Sequence, residues 1–443
     1  MIDLAAIGLS VLIVLWRYRK GYYDGLYASL FFLVLCPNNM SIELGTTLPS
    51  VTIHRIIIVI MFLKAVGEES IVMSPKNVPF INILFVITAT MGISTLISDD
   101  FLVSFKRYLY FIVETVVFYV IMSSSIKSRD HIVSICKVVA LSLVVVALFG
   151  IYEKYTDFNP TTLFGRKHTY SFEVVREMSS RDVTSTFIHR ILFGTAMAVG
   201  LMNSIFLCDL VAAGRARLFA WLSIGLLGTG LYFSLSRGPW LAFILSSSLV
   251  FVFCFRPVGK RLMAIGMMAG LMFLMRPGTA QTIEALYSST YQEGSVKASS
   301  YQWRFMVLET AYTNIVDAKS VLITLFGNGE GSHVFKQFKP IRLPTGFLAY
   351  FKSWDNEYAV ILFERGLIGL FLILFLYGKF MVKGVLYCLH AGEQKFLVLI
   401  ACSCCLVIFI MNFSVRIFAP QIVYLQYVYM AIGSSLFYGK VSA

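Results

Sequence analysis

Charge is scarce in this sequence. Asp, Glu, Lys and Arg make up only 14% of its 443 residues, against about 25% in ordinary soluble domains, so the chain lacks the polar surface that a water-exposed protein needs. A set of soluble domains is thereby excluded, and one membrane domain spanning 1–443 fits instead. Acidic residues are scarcer than basic ones, 24 against 37, which leaves a net charge of +13. A nucleic-acid partner would need that excess clustered on one exposed face. Here the Lys and Arg residues are scattered between apolar runs, so no nucleic acid is expected. The eight cysteines all lie in or beside apolar segments and none in a long polar loop, so a disulfide framework has no support. Also missing are a His, Cys and carboxylate cluster with zinc spacing, a Walker pattern and a Gly-x-Ser-x-Gly pattern, so neither a metal nor another cofactor is expected.

What the sequence has in abundance is apolar residues, 58% of the chain. Windows of about 20 such residues, enough to cross the hydrocarbon of a bilayer, are centred near residues 10, 30, 58, 88, 115, 141, 197, 225, 246, 268, 367, 403 and 427. The expected fold is an all-α polytopic integral membrane protein with about twelve or thirteen transmembrane helices, the first two windows being short. Met1 to Trp16 has no basic n-region, so a cleaved signal peptide is not expected. Two stretches break the rhythm, 153–185 and a longer one at 276–353. Both are read as ordered loops, where function tends to sit.

Lys and Arg in short connections set orientation. Alternate threading puts Arg17, Arg19, Lys20, Lys127, Arg129, Arg215, Arg217, Arg256, Lys260, Arg261, Lys379 and Lys383 on one side, expected to be cytoplasmic. Both long loops, the Ser98-Asp99-Asp100 turn and the Ser236-Arg237-Gly238 turn then share the opposite side.

Five segments could carry chemistry. In Leu235-Ser236-Arg237-Gly238-Pro239-Trp240, an Arg lies between two apolar runs, where insertion costs about 2.5–3.5 kcal/mol and a function is the default hypothesis. Ser236 can cap a new helix and Pro239 is tolerated in its first turn. Helix N-terminus and guanidinium would together suit a phosphate; the alternative is an Arg snorkelling to lipid headgroups. In the long loop, Trp303, Val307 and Ala311 have helical spacing beside Phe305, Leu308 and Tyr312. This predicts a short amphipathic helix along the membrane surface, with Arg304 either in a site or only at the polar edge.

Phe326-Gly327-Asn328-Gly329-Glu330-Gly331 lacks the strand and helix context of a dinucleotide site and reads as a mobile turn that lets backbone approach a ligand. In Trp354-Asp355-Asn356-Glu357-Tyr358, Asp355 stands where a span begins. Spacing favours it as an N-cap; the sharper role is a general base or an orienter of a sugar hydroxyl. The fifth segment runs from Arg181 to Arg190, where Arg181, His189 and Arg190 could extend an anionic site or anchor a helix at the interface. Asp99-Asp100 could be an acidic pair but more often caps a turn.

In this order the segments resemble the superfamily of bacterial O-antigen ligases and Wzy-type surface polysaccharide polymerases. The resemblance runs through Thr186-Phe187-x-His189, Ser234-x-Ser236-Arg237-Gly238-x-Trp240, Arg304, Phe326 to Gly331, and Asp355-Asn356-x-Tyr358 with Glu364-Arg365-Gly366-Leu367-Ile368-Gly369-Leu370. It covers roughly 180–375. It implies transfer of glycan from undecaprenyl pyrophosphate to an acceptor without metal or nucleotide sugar, in the bacterial inner membrane with the active site facing the periplasm. Carried over by motif, Arg237 and Arg304 would hold the pyrophosphate as catalytic groups and Asp355 would face the acceptor hydroxyl. Arg181, His189, Arg190, Ser236, Lys352, Asn356, Tyr358 and Arg365 would line the substrate site. The implied partners are lipid-linked oligosaccharide as donor and acceptor, membrane lipids and a chain-length regulator protein.

Ligases of this family typically carry His before the Asn where this chain has Asp355, so the polymerase reading leads and the ligase reading is second. A transporter is the alternative from another class, but no counterpart of the 276–353 loop is evident in the first half, as an inverted repeat would give.

Overall fold

The computed structural model describes residues 2–37, 40–42, 50–68, 78–164, 183–187, 189–254, 258–263, 266, 296–318, 320–336, 341–342, 348–349, 354–390, 394–416 and 419–439. The apolar window centred near residue 268 lies outside them. Among the described residues ten α-helices run before it: α1 (Ile2–Lys20), α2 (Tyr22–Leu35), α3 (Ile53–Gly67), α4 (Ile81–Leu96), α5 (Phe101–Phe111), α6 (Phe118–Ser125), α7 (Arg129–Thr156), α8 (Arg190–Leu210), α9 (Arg215–Phe233) and α10 (Arg237–Phe253). Six follow: α11 (Val296–Val316), α12 (Val321–Phe326), α13 (Ser332–Phe335), α14 (Glu357–His390), α15 (Lys395–Met411) and α16 (Pro420–Phe437). Two antiparallel hairpins of two-residue strands, Ser41–Ile42 with Val51–Thr52 and Ile341–Arg342 with Leu348–Ala349, are the sheet structure among the described residues.

The protein is an all-α polytopic membrane protein. Among the described residues five helical stretches are long and apolar enough to cross a bilayer: Phe101–Ser125, Arg129–Thr156, Arg190–Leu210, Arg215–Phe233 and Glu357–His390. Four shorter apolar helices, Tyr22–Leu35, Ile81–Leu96, Arg237–Phe253 and Lys395–Met411, accompany them. The remaining predicted centres of the first half and the last two fall on helices as well. All eight cysteines are free thiols, as their apolar settings imply.

Helix α8 is the axis. It is buried along its whole apolar window and packs against α7, α9, α10 and α15. Small residues make this possible, since in hydrocarbon helices associate through close van der Waals contact rather than by excluding water. A Cβ on Gly200 would lie 2.8 Å from Leu143 Cδ1 and 3.2 Å from Leu227 Cδ2, so α7 and α9 close on α8 from two sides. Helix α16 is the second buried helix and packs on α15, α6, α2 and α14.

Between α5 and α6 lies one π-helical stretch, Ile112–Val117, a feature that marks an inserted residue and a local widening. Glu114 points from it to Arg55 of α3, with Nε donating at 2.7 Å, and the Arg55 guanidinium lies 3.3 Å over the Tyr110 ring. The π turn therefore aims a carboxylate at a half-buried arginine.

Helix α14 is broken at Gly366, whose φ of 64° and ψ of −167° leave the helical region. Breaking a helix frees carbonyls that must find donors. Those of Phe363 and Glu364 find them in the glycine turn. Asn328 N donates to Phe363 O at 3.0 Å and Gly329 N to Glu364 O at 3.1 Å, while Asn328 Nδ2 and Ser94 Oγ add bonds of 3.1 and 2.5 Å to the same two carbonyls. Gly327, Gly329 and Gly331 all have positive φ. A Cβ would overlap the Glu364 carbonyl at the first and Ser98 at the second. The sequence expectation of a turn approaching a ligand is corrected: the backbone this turn approaches is that of the kinked helix.

Helix α11 confirms the predicted spacing and corrects its purpose. Val307, Ala311 and Ile315 are fully buried, with Trp303 beside them, in a cluster with Trp354, Ala359, Val360, Leu362 and Phe363. The stripe docks on α14 rather than on a membrane surface.

Candidate active site

One end of the bundle gathers the turns that the sequence singled out. The α9–α10 turn comes first. Leu235 adopts φ 48°, which reverses the chain within three residues and starts α10 at Arg237, with Ser236 at the N-cap position. The expected Ser236 cap is absent: its side chain makes no capping bond. The first-turn amides of Arg237 and Gly238 are thus not bonded by that hydroxyl, and the Arg237 side chain is exposed. Gly194 of α8 meets this turn, since a Cβ there would lie 2.8 Å from Ser234 Oγ and 2.9 Å from Pro239 Cγ. Arg190, one helical turn earlier, is on that same face of α8.

The second element is the turn between α15 and α16. Ser414 O accepts from Arg304 Nε at 2.9 Å, and Asn412 O accepts from Glu357 N at 2.8 Å. A Cβ on Gly238 would lie 3.1 Å from Met411 Cε and 3.6 Å from Ser414 Oγ. Residues 411–414 therefore touch the start of α10, the middle of α11 and the start of α14. That convergence brings Arg237, Arg304 and Asp355 together. Burial pulls the Arg304 pKa below its ordinary value, Asp355 opposes this by attraction, and Arg237 adds repulsion. Two guanidinium groups with one carboxylate leave an excess of positive charge in a partly desolvated place, which favours an anion.

The start of α14 reassigns two predicted residues. Asn356, not Asp355, is the cap: Asn356 Oδ1 accepts from Ala359 N at 3.2 Å, and its Nδ2 reaches Arg304 O at 3.4 Å. Asn356 is buried and acts as a brace between α11 and α14. The charge of Asp355 is felt by Arg304. Tyr358 donates to Phe409 O at 2.8 Å, which ties α14 to α15. His189 caps α8, its Nδ1 accepting from Ile191 N at 3.2 Å. Asp100 caps α5 through Val103 N at 3.1 Å, so the acidic pair at 99–100 is in part a cap, and Asp99 lies 3.1 Å from Lys336 Nζ. Arg181 and Lys352 lie outside the described residues.

Beneath the arginines is a buried charged network that motif reading did not resolve. Arg365, read from sequence as a substrate contact, is instead clamped by Glu330, with Nε to Oε1 at 2.7 Å and Nη2 to Oε2 at 3.2 Å. Its guanidinium also lies 5.2 Å from the Phe111 ring centre. Glu364, the residue before it, accepts from Gly331 N at 2.6 Å and from His333 Nδ1. Arg107 of α5 and Arg416 of the α15–α16 turn both act on this pair. Burial is the main force on His333 and Arg416 the next. They pull its pKa down to about 4, so it is neutral at pH 7. The available signal was the Glu-x-x-His spacing of 330 and 333, polar residues at a turn in an apolar chain, facing a Glu-Arg pair at 364 and 365. Arg107 and Arg416 carried no such signal, being single cations in unremarkable sequence.

Among the described residues no three His, Cys, Asp or Glu side chains gather as metal ligands. The O-antigen ligase family model matches residues 218–374. Over these residues, about a third of the chain, the sequence is similar to that family. No curated protein matches it. The O-antigen ligase match runs from α9 into α14 and contains Arg237, Arg304, Asp355, Glu330, His333 and Glu364. Arg107 and Arg416 reach the family segment from elements on either side of it.

Proposed function

We propose that the chain is a Wzy-type polysaccharide polymerase of the bacterial inner membrane, with its site open to the periplasm. The donor is a growing glycan on undecaprenyl pyrophosphate, and the acceptor is the non-reducing end of a second lipid-linked repeat unit. The acceptor hydroxyl oxygen forms a bond to the anomeric carbon, the bond from that carbon to the pyrophosphate oxygen breaks, and undecaprenyl pyrophosphate leaves with the electron pair. Charge grows on the leaving oxygen, and preorganised cations in a partly desolvated site stabilise it. Arg237 and Arg304 fill that role, and Asp355 faces the acceptor hydroxyl. The lipid supplies the activation, so the reaction calls for no nucleotide sugar and no metal. A chain-length regulator protein is a proposed partner.

The observation that carries this reading is the meeting of Arg237, Arg304 and Asp355, all three within the matched segment, against the α15–α16 turn. The ligase reading, in which finished glycan moves to lipid A core, has in its favour the description of the matching family. Against it stands Asp355 where ligases of the family carry His. Purified protein incubated with lipid pyrophosphate-linked repeat units alone should yield a ladder of lengthening products. A single transfer product that requires lipid A core would give the ligase reading precedence, and a strict need for a nucleotide sugar would remove both.

A further inference from the structure

The mechanism above leaves one buried group unused. His333 is 4% exposed and stands on α13, between the glycine turn and the start of α14. A carboxylate only accepts hydrogen bonds, so the contact of Nδ1 with Glu364 Oε1 puts the ring proton on Nδ1. Gly331 N fixes the same oxygen at 2.6 Å, so the carboxylate cannot turn away. Nε2 then carries the lone pair, and it has no hydrogen-bond partner among the described residues. A buried ring nitrogen without a partner is costly and calls for something to occupy it. The ring packs edge-on to Trp354 with centroids 5.8 Å apart, and Trp354 is the neighbour of Asp355. From the other side Arg416 acts on His333, two residues beyond the Ser414 carbonyl that holds Arg304.

We infer that His333, oriented by Glu364, is a further catalytic residue of this site: its Nε2 takes the proton of the acceptor hydroxyl during glycosyl transfer. This rests on the functional reading given above. The proton passes from the acceptor oxygen to Nε2 as that oxygen bonds to the anomeric carbon. The electron pair of the broken bond leaves on undecaprenyl pyrophosphate, and the imidazolium then returns its proton to water. Carboxylate, imidazole and hydroxyl in series is a known way to keep a histidine in the tautomer that accepts a proton. Among the described residues the charged groups around the ring are Glu364 on α14, Arg107 on α5 and Arg416 on the α15–α16 turn. Glu330 and Lys336, beside it in sequence, are engaged by Arg365 and by Asp99 and Asn328. Burial first, then Arg416 and Arg107, hold the free imidazole neutral. A pyrophosphate bound beside Arg304 and Arg416 offsets that repulsion, so the base strengthens when the donor is in place.

The test is steady-state transfer with purified protein and lipid pyrophosphate-linked repeat units isolated from the cells that make them, over pH 4 to 8. His333→Gln should lower kcat by about 10²-fold, the size of a lost proton acceptor, with KM for the donor within about twofold. The wild type should lose activity at the acid end, with the limb in kcat at higher pH than the limb in kcat/KM. That limb should persist in Asp355→Asn and vanish in His333→Gln. Wild-type kcat in His333→Gln overturns the base assignment and leaves the transfer reading standing. No transfer by the wild type to either acceptor overturns the transfer reading itself. Should His333→Gln fail to fold, the wild-type profiles decide: limbs at the same pH in kcat and kcat/KM overturn the assignment.

Discussion

Arg304 is held at its Nε by a backbone carbonyl, and that bond fixes the plane of the guanidinium. Lysine cannot reproduce a planar fork with donors in two directions. The same reasoning applies to Arg237 at the N-terminus of α10, where on the proposed reading the amides and the side chain would address one anion. Arg237→Lys should therefore lower kcat/KM for lipid-linked donor by at least about tenfold, the scale of one lost hydrogen bond to a charged group. Transfer kinetics at fixed acceptor would measure it, and near-normal turnover would reduce Arg237 to an interfacial anchor. At this scale the sequence showed residue types better than duties. Asp355 and Asn356 are both capping residues by propensity, and only the hydrogen bond from Ala359 to Asn356 decides between them.

His333 also has a stability consequence. Its folded pKa of about 4 lies below the unfolded value of about 6.5, so the unfolded chain binds a proton first as pH falls. Stability on this account is complete above about pH 6.5 and is lost as pH drops toward 4, by roughly 3 kcal/mol in full. Thermal unfolding in detergent should show the apparent Tm falling across that window, and His333→Gln should flatten the fall. Equal slopes in the two proteins would show that the histidine is not the titrating group.

The kink of α14 and the glycine turn are one device at the scale of elements. Gly366 interrupts the helix, and the amides of Asn328 and Gly329 satisfy the carbonyls it releases. The turn in turn positions Glu330 against Arg365 and places His333 on Glu364. Gly327→Ala forces a side chain into positive φ and onto the Glu364 carbonyl. Left-handed backbone alone costs about 1–2 kcal/mol, and backbone overlap adds to it, so the variant should lose several degrees of apparent Tm and most of its activity. Gly228→Ala on α9, where a Cβ meets nothing within 4 Å, should leave Tm level or raise it, since alanine is the better helix former by about 1 kcal/mol. A Gly327→Ala protein as stable as the wild type would contradict the interlock. Periodicity made the helices legible because it reports one face at a time. It could not report the kink, since a carbonyl freed in α14 and an amide in the turn are partners only in space. Nor could it tell which surface the Trp303 and Val307 stripe would meet, because protein and lipid select the same apolar residues.

Across the described residues, the site turns share one end, and Arg261 and Lys383, two of the cations predicted to be cytoplasmic, share the other; Arg256 lies outside the described residues. Arg261 pairs with Asp209 at the end of α8, Lys395 lies over Phe253 at the end of α10, and Lys383 donates to Tyr438 beyond α16. The opposite ends carry Arg304, the glycine turn and the start of α14. Alternate threading of apolar windows could find this because each span reverses direction, so a correct count fixes the side of every turn up to one overall choice. The excess of Lys and Arg in short loops makes that choice. It predicts that position 162, exposed after α7, faces the periplasm, and that position 213, exposed before α9, faces the cytoplasm. Seven native cysteines are buried and Cys254 is partly exposed, so Cys254→Ser provides a quiet background. In that background a membrane-impermeant maleimide applied to intact cells with a permeable outer membrane should label Thr162→Cys and spare Ala213→Cys. In inverted vesicles the pattern should exchange. Labelling of Ala213→Cys from outside would turn the protein over and put the arginine site on the face where no lipid-linked glycan awaits polymerisation.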